Sequence, residues 1–205
     1  MDQSVLGPED TYTRLRQQIV KDRGPWQQTT RGASFFIGDP RPEDVSLFDI
    51  AHALSRQCRY NGHLKSTVEH YSVAQHAWLV SKWMEEDGLS KPMSFAGLHH
   101  DSAEAYTGDI VSQMKWLVPE FKPIERRVEQ AVREAFGIQD DPLIRTIIKR
   151  YDLTALATER RDLLARNRSD CTWGDMPRPR HGETIEPWDS KLAREMFLQR
   201  HGELV

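Results

Sequence analysis

The sequence predicts an all-α, single-domain helical bundle. Apolar residues recur at three- and four-residue spacing over most of the chain. The one strand-like stretch is "SFFIG" at 34–38. A chain of 205 residues is long enough for one domain with a full core.

The helices follow in order. "EDVSLFDIAHALSRQ" at 43–57 places Val45, Phe48, Ile50, Ala51 and Leu54 at helical spacing. "VAQHAWLVSKWMEE" at 73–86 is a second helix, opened by Ser72 and Gln75 in the Ser-x-x-Gln arrangement of a capping box and followed by Gly88. A third helix is expected from Met93 to Tyr106, ended by Gly108. "PEFKPIERRVEQAVREAFG" gives a fourth, with Gly137 as its C-terminal cap. A fifth starts after Pro142 and runs through "LIRTIIKRYDLTALATERRDLLAR". Residues 167–187, with their prolines around Trp173, read as a loop, and a last helix covers Asp189 to Gln199. Ahead of all this, residues 1–33 form an N-terminal extension in which Tyr12, Leu15 and Ile19 suggest a short amphipathic helix.

Composition narrows the function. Hydrophobic residues make up 38% and charged residues 29%, with a net charge of −3, the balance of a soluble globular protein without a basic surface for nucleic acid. No apolar stretch approaches the roughly 20 residues of a membrane span, and no secretion signal opens the chain. Cys58 and Cys171 show neither metal-ligand spacing nor a disulfide framework, so they are read as free thiols in a reducing cytoplasm.

One stretch stands apart. "LHHDSAEAYTGD", residues 98–109, gathers two histidines and three acids immediately after Phe95, Ala96 and Leu98. Such a cluster at a helix end is commonly a solvated face, but here it enters from an apolar segment. On a helix His100 and Glu104 share a face, as do Asp101 and Glu104. Carboxylates taken out of water need a compensating cation, and imidazole with carboxylate favours a first-row divalent metal over calcium. Further ligands would come from His76, among Val73, Val80 and Trp83, and from Asp152, flanked by Tyr151, Leu153 and Leu156. Their plainer alternatives are a satisfied core histidine and a surface acid paired with Lys149 or Arg150.

"YSVAQHAWLVSKW", "GLHHDSAEAYTGDI" and "YDLTALATERRDL" resemble the successive motifs of HD-domain metal-dependent phosphohydrolases. The opening "FDIAHALSRQCRYNGH" is similar to phage dATP triphosphohydrolases, and the whole to deoxyribonucleotide 5′-nucleotidases of the YfbR type. The resemblance covers about residues 34–200 and implies an HD domain over 34–205. It places the metal ligands on His76, His100, Asp101 and Asp152, and the metal as Mn, Co, Zn, Ni, Fe or Mg. His70, in "VEHYS", imitates the first motif but precedes the helix; His99 becomes a packing or supporting residue. Glu104 would activate the water, and Asp109 would lie near the substrate phosphate or the leaving oxygen, although it also suits an N-cap for "IVSQMKW". Lys115 would approach the phosphates. Arg59 would hold phosphate and Tyr60 would crowd the sugar 2′ position, with His63 as a further substrate contact. The implied reaction is hydrolysis of dATP to deoxyadenosine and triphosphate by attack at the α-phosphorus. The alternatives are a monophosphate 5′-nucleotidase and a non-catalytic nucleotide-binding module. The implied partner is a small deoxyribonucleotide, with neither nucleic acid nor membrane, in a cytoplasmic homo-oligomer (in the host cell, if phage-encoded).

Overall fold

The computed structural model describes residues 8–168, 171 and 173–205. Helix α1 (Pro8–Arg23) leads into a two-stranded antiparallel hairpin, β1 (Trp26–Gln28) against β2 (Ser34–Phe36), with Gln27 opposite Phe35. Helices follow: α2 (Leu47–Leu54), α3 (Val73–Glu86), α4 (Lys91–Leu98), α5 (Glu104–Thr107), α6 (Ser112–Leu117), α7 (Phe121–Phe136), α8 (Pro142–Asp162) and α9 (Ser190–Leu204). The described chain is therefore mostly helical, as its spacing predicts, and none of its helices is long and apolar enough to cross a membrane. Leu15 on α1 is exposed, while the side chains of Tyr12 and Ile19 lie outside the described residues.

Helix α3 is the centre of the architecture, packed against α4, α8 and α9. Its first turns give Val73, Ala74 and Ala77 to a cluster with Ile50, Leu54, Phe95, Leu98, Val128 and Phe197. Its last turns give Leu79, Val80, Trp83 and Met84 to a second cluster with Tyr71, Ala155 and Leu163. A helix apolar on nearly every side is buried on nearly every side. Its start is half of the expected capping box. Ser72 Oγ accepts from Gln75 N at 3.1 Å, but the Gln75 side chain does not turn back. It donates to the Glu186 carbonyl (2.8 Å) and accepts from Trp188 N (2.9 Å), pinning the loop before α9 onto α3.

Five boundaries differ from expectation. The expected helix at 43–57 splits, because Ser46 Oγ accepts from Asp49 N and starts α2 afresh. Phe48 consequently points outward and is 41% exposed. Helix α8 stops at Asp162 rather than Arg166, and α9 continues to Leu204 rather than Gln199. Helix α6 begins at Ser112 with Val111 at its cap, so Asp109 does not cap it.

The fifth difference matters most. The expected helix from Met93 to Tyr106 breaks into α4 and α5 around a turn at 99–103. His100 Nδ1 donates to the Gly97 carbonyl at 2.8 Å and His99 Nδ1 pairs with Ser102 Oγ at 2.9 Å, side-chain bonds that compete with the helical ladder. Gly97 itself is where α4 meets α3: a β-carbon there would run into the sulfur of the fully buried Met84. Gly97→Val is thus expected to cost about 1–3 kcal/mol of stability through overpacking. Denaturant titration yielding wild-type stability would show that the two helices can part freely.

Candidate metal centre

The broken helix has a chemical consequence. Neighbouring residues on a continuous helix point about 100° apart and do not face a common point. In the 99–103 turn they do: His100 Nε2 and Asp101 Oδ2 are 3.1 Å apart. The reading of His100, Asp101 and Glu104 as one helical face is therefore corrected. They converge because the helix is interrupted.

His76, fully buried on α3, completes the group. Its Nε2 is 3.3 Å from His100 Nε2, 3.5 Å from Asp101 Oδ2 and 3.3 Å from Asp152 Oδ1. His76, His100 and Asp101 each present one donor atom to a common space, all within 4.8 Å of one another. Donors sharing one ion at about 2.0–2.2 Å sit about 3.0–3.5 Å apart in neighbouring positions, and these separations fall there. The tautomers fit as well. His76 Nδ1 donates to Glu159 Oε1 (2.6 Å) and His100 Nδ1 to the Gly97 carbonyl, which leaves both Nε2 atoms facing inward. Two inward nitrogens and two carboxylates without a cation between them repel one another. Burial and Arg59 oppose charging His76, yet Glu159 and Asp152 raise its pKa to about 9. Burial works against the charge on Asp101 too, but His100 and His76 hold its carboxyl well below the usual range. Asp152 also realises its plainer alternative, accepting from Lys149 Nζ at 2.7 Å through its other oxygen.

Glu104, at the start of α5, stands beside this group. Its side chain is buried, Oε2 has no partner among the described residues, and Oε1 is 3.5 Å from Lys115 Nζ. Burial, then Asp101 and Asp109, push its carboxyl well above the usual range. Half-buried Asp109 is raised by burial and by Asp101, against Arg59. On the other side, His100 and Asp152 border a cavity of about 220 Å³ walled by Ala96, Val132, Ile144 and Ile148.

The expected phosphate contacts are already engaged. Lys115 Nζ lies 2.5 Å from Glu125 Oε1, and Arg59 is 3.3 Å from Glu159 and 3.7 Å from Asp101. Tyr60 donates its hydroxyl to Glu159, and His63 is exposed on a separate groove with Arg160 and Trp173. His70 stays outside the centre, bonded to the Ser55 carbonyl, and His99 packs against Phe95, Phe136 and Phe197 while its Nε2 pairs with His201.

Glu159 escaped the sequence reading. It lies seven residues after Asp152, two helical turns along the same face, and that spacing was the available clue. In "ATERRDL" it reads as one more charge on a solvated stretch, yet it is fully buried. Despite burial, Arg59 and His76 bring its pKa down to about 2.

No protein-family profile matches the chain. Similar curated proteins include an uncharacterized protein of Rhodobacter capsulatus, 31% identical over 116 residues that span 55% of this chain and 59% of that protein. They also include the uncharacterized protein YfdR of Escherichia coli (strain K12), 39% identical over 136 residues. That match spans 66% of this chain and 71% of YfdR, and at this identity and coverage the chain belongs to the same family as YfdR.

Proposed function

We propose that this protein is a divalent-metal-dependent phosphohydrolase of the HD-domain kind that removes the 5′-phosphate from deoxyribonucleotides. The observation that carries the reading is the convergence of His76 Nε2, His100 Nε2 and Asp101 Oδ2 on one point, with Asp152 Oδ1 3.3 Å from His76 and a buried glutamate beside them. A divalent cation held by His76, His100, Asp101 and Asp152 would offset phosphate charge and make water a better nucleophile near neutral pH. Glu104, held well above the usual carboxylate range by burial and by Asp101 and Asp109, would take the proton of the attacking water. Asp109, half-buried and close enough to Arg59 and Asp101 to feel both charges, would supply a proton to the departing 5′ oxygen. A pure nucleotide-binding module has no use for a buried Glu104 whose Oε2 has no partner among the described residues.

The pairing of Arg59 and Lys115 favours a monophosphate over dATP. Both cations are already balanced by carboxylates, and two additional phosphates would need positive charge that neither has to spare. The test is purified protein with Mn²⁺ or Co²⁺ against dAMP, dTMP, AMP and dATP, with products separated by chromatography. Deoxynucleoside and inorganic phosphate from the monophosphates are expected. Intact triphosphate released from dATP faster than phosphate from dAMP would move the activity to a triphosphohydrolase. No hydrolysis with any metal would remove the reading.

A further inference from the structure

We infer that Glu159 is a positioning residue that clamps two parts of the centre at once, the metal-facing orientation of His76 and the turn carrying Arg59 and Tyr60. The metal half of this inference rests on the function proposed above; the turn half does not.

The carboxylate of Glu159 is fully buried and receives four donors. Oε1 accepts from His76 Nδ1 at 2.6 Å and from the Tyr71 hydroxyl at 2.8 Å. Oε2 accepts from Arg59 Nε at 3.3 Å and from the Tyr60 hydroxyl. A buried carboxylate is tolerated only when so satisfied. The His76 ring spans two acids of one helix, with Nδ1 on Glu159 and Nε2 3.3 Å from Asp152. Helix α8 therefore supplies one position of the proposed ligand set directly, Asp152, and fixes the ring plane and tautomer of another through Glu159.

The second half concerns strain. Tyr60 (φ 59°, ψ 27°) and Asn61 (φ 52°, ψ 31°) are consecutive non-glycine residues in the left-handed region. Each such residue is unfavourable unless its surroundings hold it, most of all a bulky aromatic. The turn is tied by Arg59 N to the Tyr71 carbonyl (2.9 Å), by His63 N to the Tyr60 carbonyl (2.9 Å), and by Arg59 and Tyr60 through their side chains to Glu159. Glu159 is thus the shared anchor of the strained turn and of a metal-facing histidine.

Glu159→Gln keeps the shape but puts an amide N–H₂ among donors. Two measurements on this variant and on Tyr60→Phe decide the matter, with circular dichroism confirming that both are folded. Co²⁺ affinity by calorimetry is expected to fall about 10–100-fold in Glu159→Gln, as for loss of a carboxylate behind a metal-bound histidine, and to change little in Tyr60→Phe. Amide hydrogen exchange over residues 59–63 in the metal-free protein is expected to quicken about tenfold in both variants, through lost hydrogen bonds to Glu159. A merely structural role would lower thermal stability and leave Co²⁺ affinity of the folded protein unchanged, and that result overturns the inference. So does unchanged exchange over 59–63 in Glu159→Gln. Wild-type protein that takes up no Co²⁺ sinks the phosphohydrolase reading instead, and the exchange measurement then decides the clamp alone.

Discussion

Asp101→Ala is expected to fold normally and to show no measurable binding of Mn²⁺ or Co²⁺, with loss of all hydrolysis. Asp101 is the anion of the compact donor group, 3.1 Å from His100 Nε2 and 3.5 Å from His76 Nε2. Its removal takes away more than one donor. Arg59, 3.7 Å from Asp101, would keep only Glu159 as a counter-charge and would face a divalent cation with its repulsion less screened. The fold should survive because Asp101 belongs to the 99–103 turn, with a side chain 21% exposed and outside both apolar clusters. Calorimetric titration alongside circular dichroism checks both halves. Wild-type affinity in the folded variant would exclude Asp101 as a ligand.

What the sequence made legible was what is local. Helix α3 was readable from Ser72 and its apolar spacing, and α7 from the repeat that ends at Gly137, which takes the left-handed cap at φ 65°. The proposed ligand residues were readable because their types are rare in apolar surroundings. The interruption at 99–103 was not, since "LHHDSAEAY" contains no strong helix breaker before Gly108. That break is set by side chains, His100 on the Gly97 carbonyl and His99 on Ser102, and only convergence on His76 explains its use. Strand β1 was missed because three residues carry no period. The partners of the expected phosphate-binding cations were equally hidden. Glu125 lies ten residues beyond Lys115 and Glu159 a hundred beyond Arg59, distances that no local pattern spans.

Glu104→Gln is expected to retain metal affinity while kcat falls about 10²–10⁴-fold, the usual worth of a general acid–base group. The substitution preserves size and gives up the 3.5 Å ion pair with Lys115, which keeps its closer 2.5 Å contact with Glu125. The same variant should not lose stability, and this separates a catalytic group from a structural one. A buried polar atom without a partner costs about 1–3 kcal/mol, and Glu104 Oε2 is such an atom. Its neighbours Asp101 and Asp109 make an ionised carboxylate there more unfavourable still, with Lys115 offsetting only part of it. A neutral amide removes that charge, so the melting temperature should stay level or rise even as turnover collapses. A structural glutamate would show the reverse, with stability lost and the rate of the remaining folded protein unchanged. Unaltered kcat in a metal-loaded, stable Glu104→Gln would hand the proton transfer to another group, and Asp109, raised by burial and by Asp101, would be the next residue to substitute.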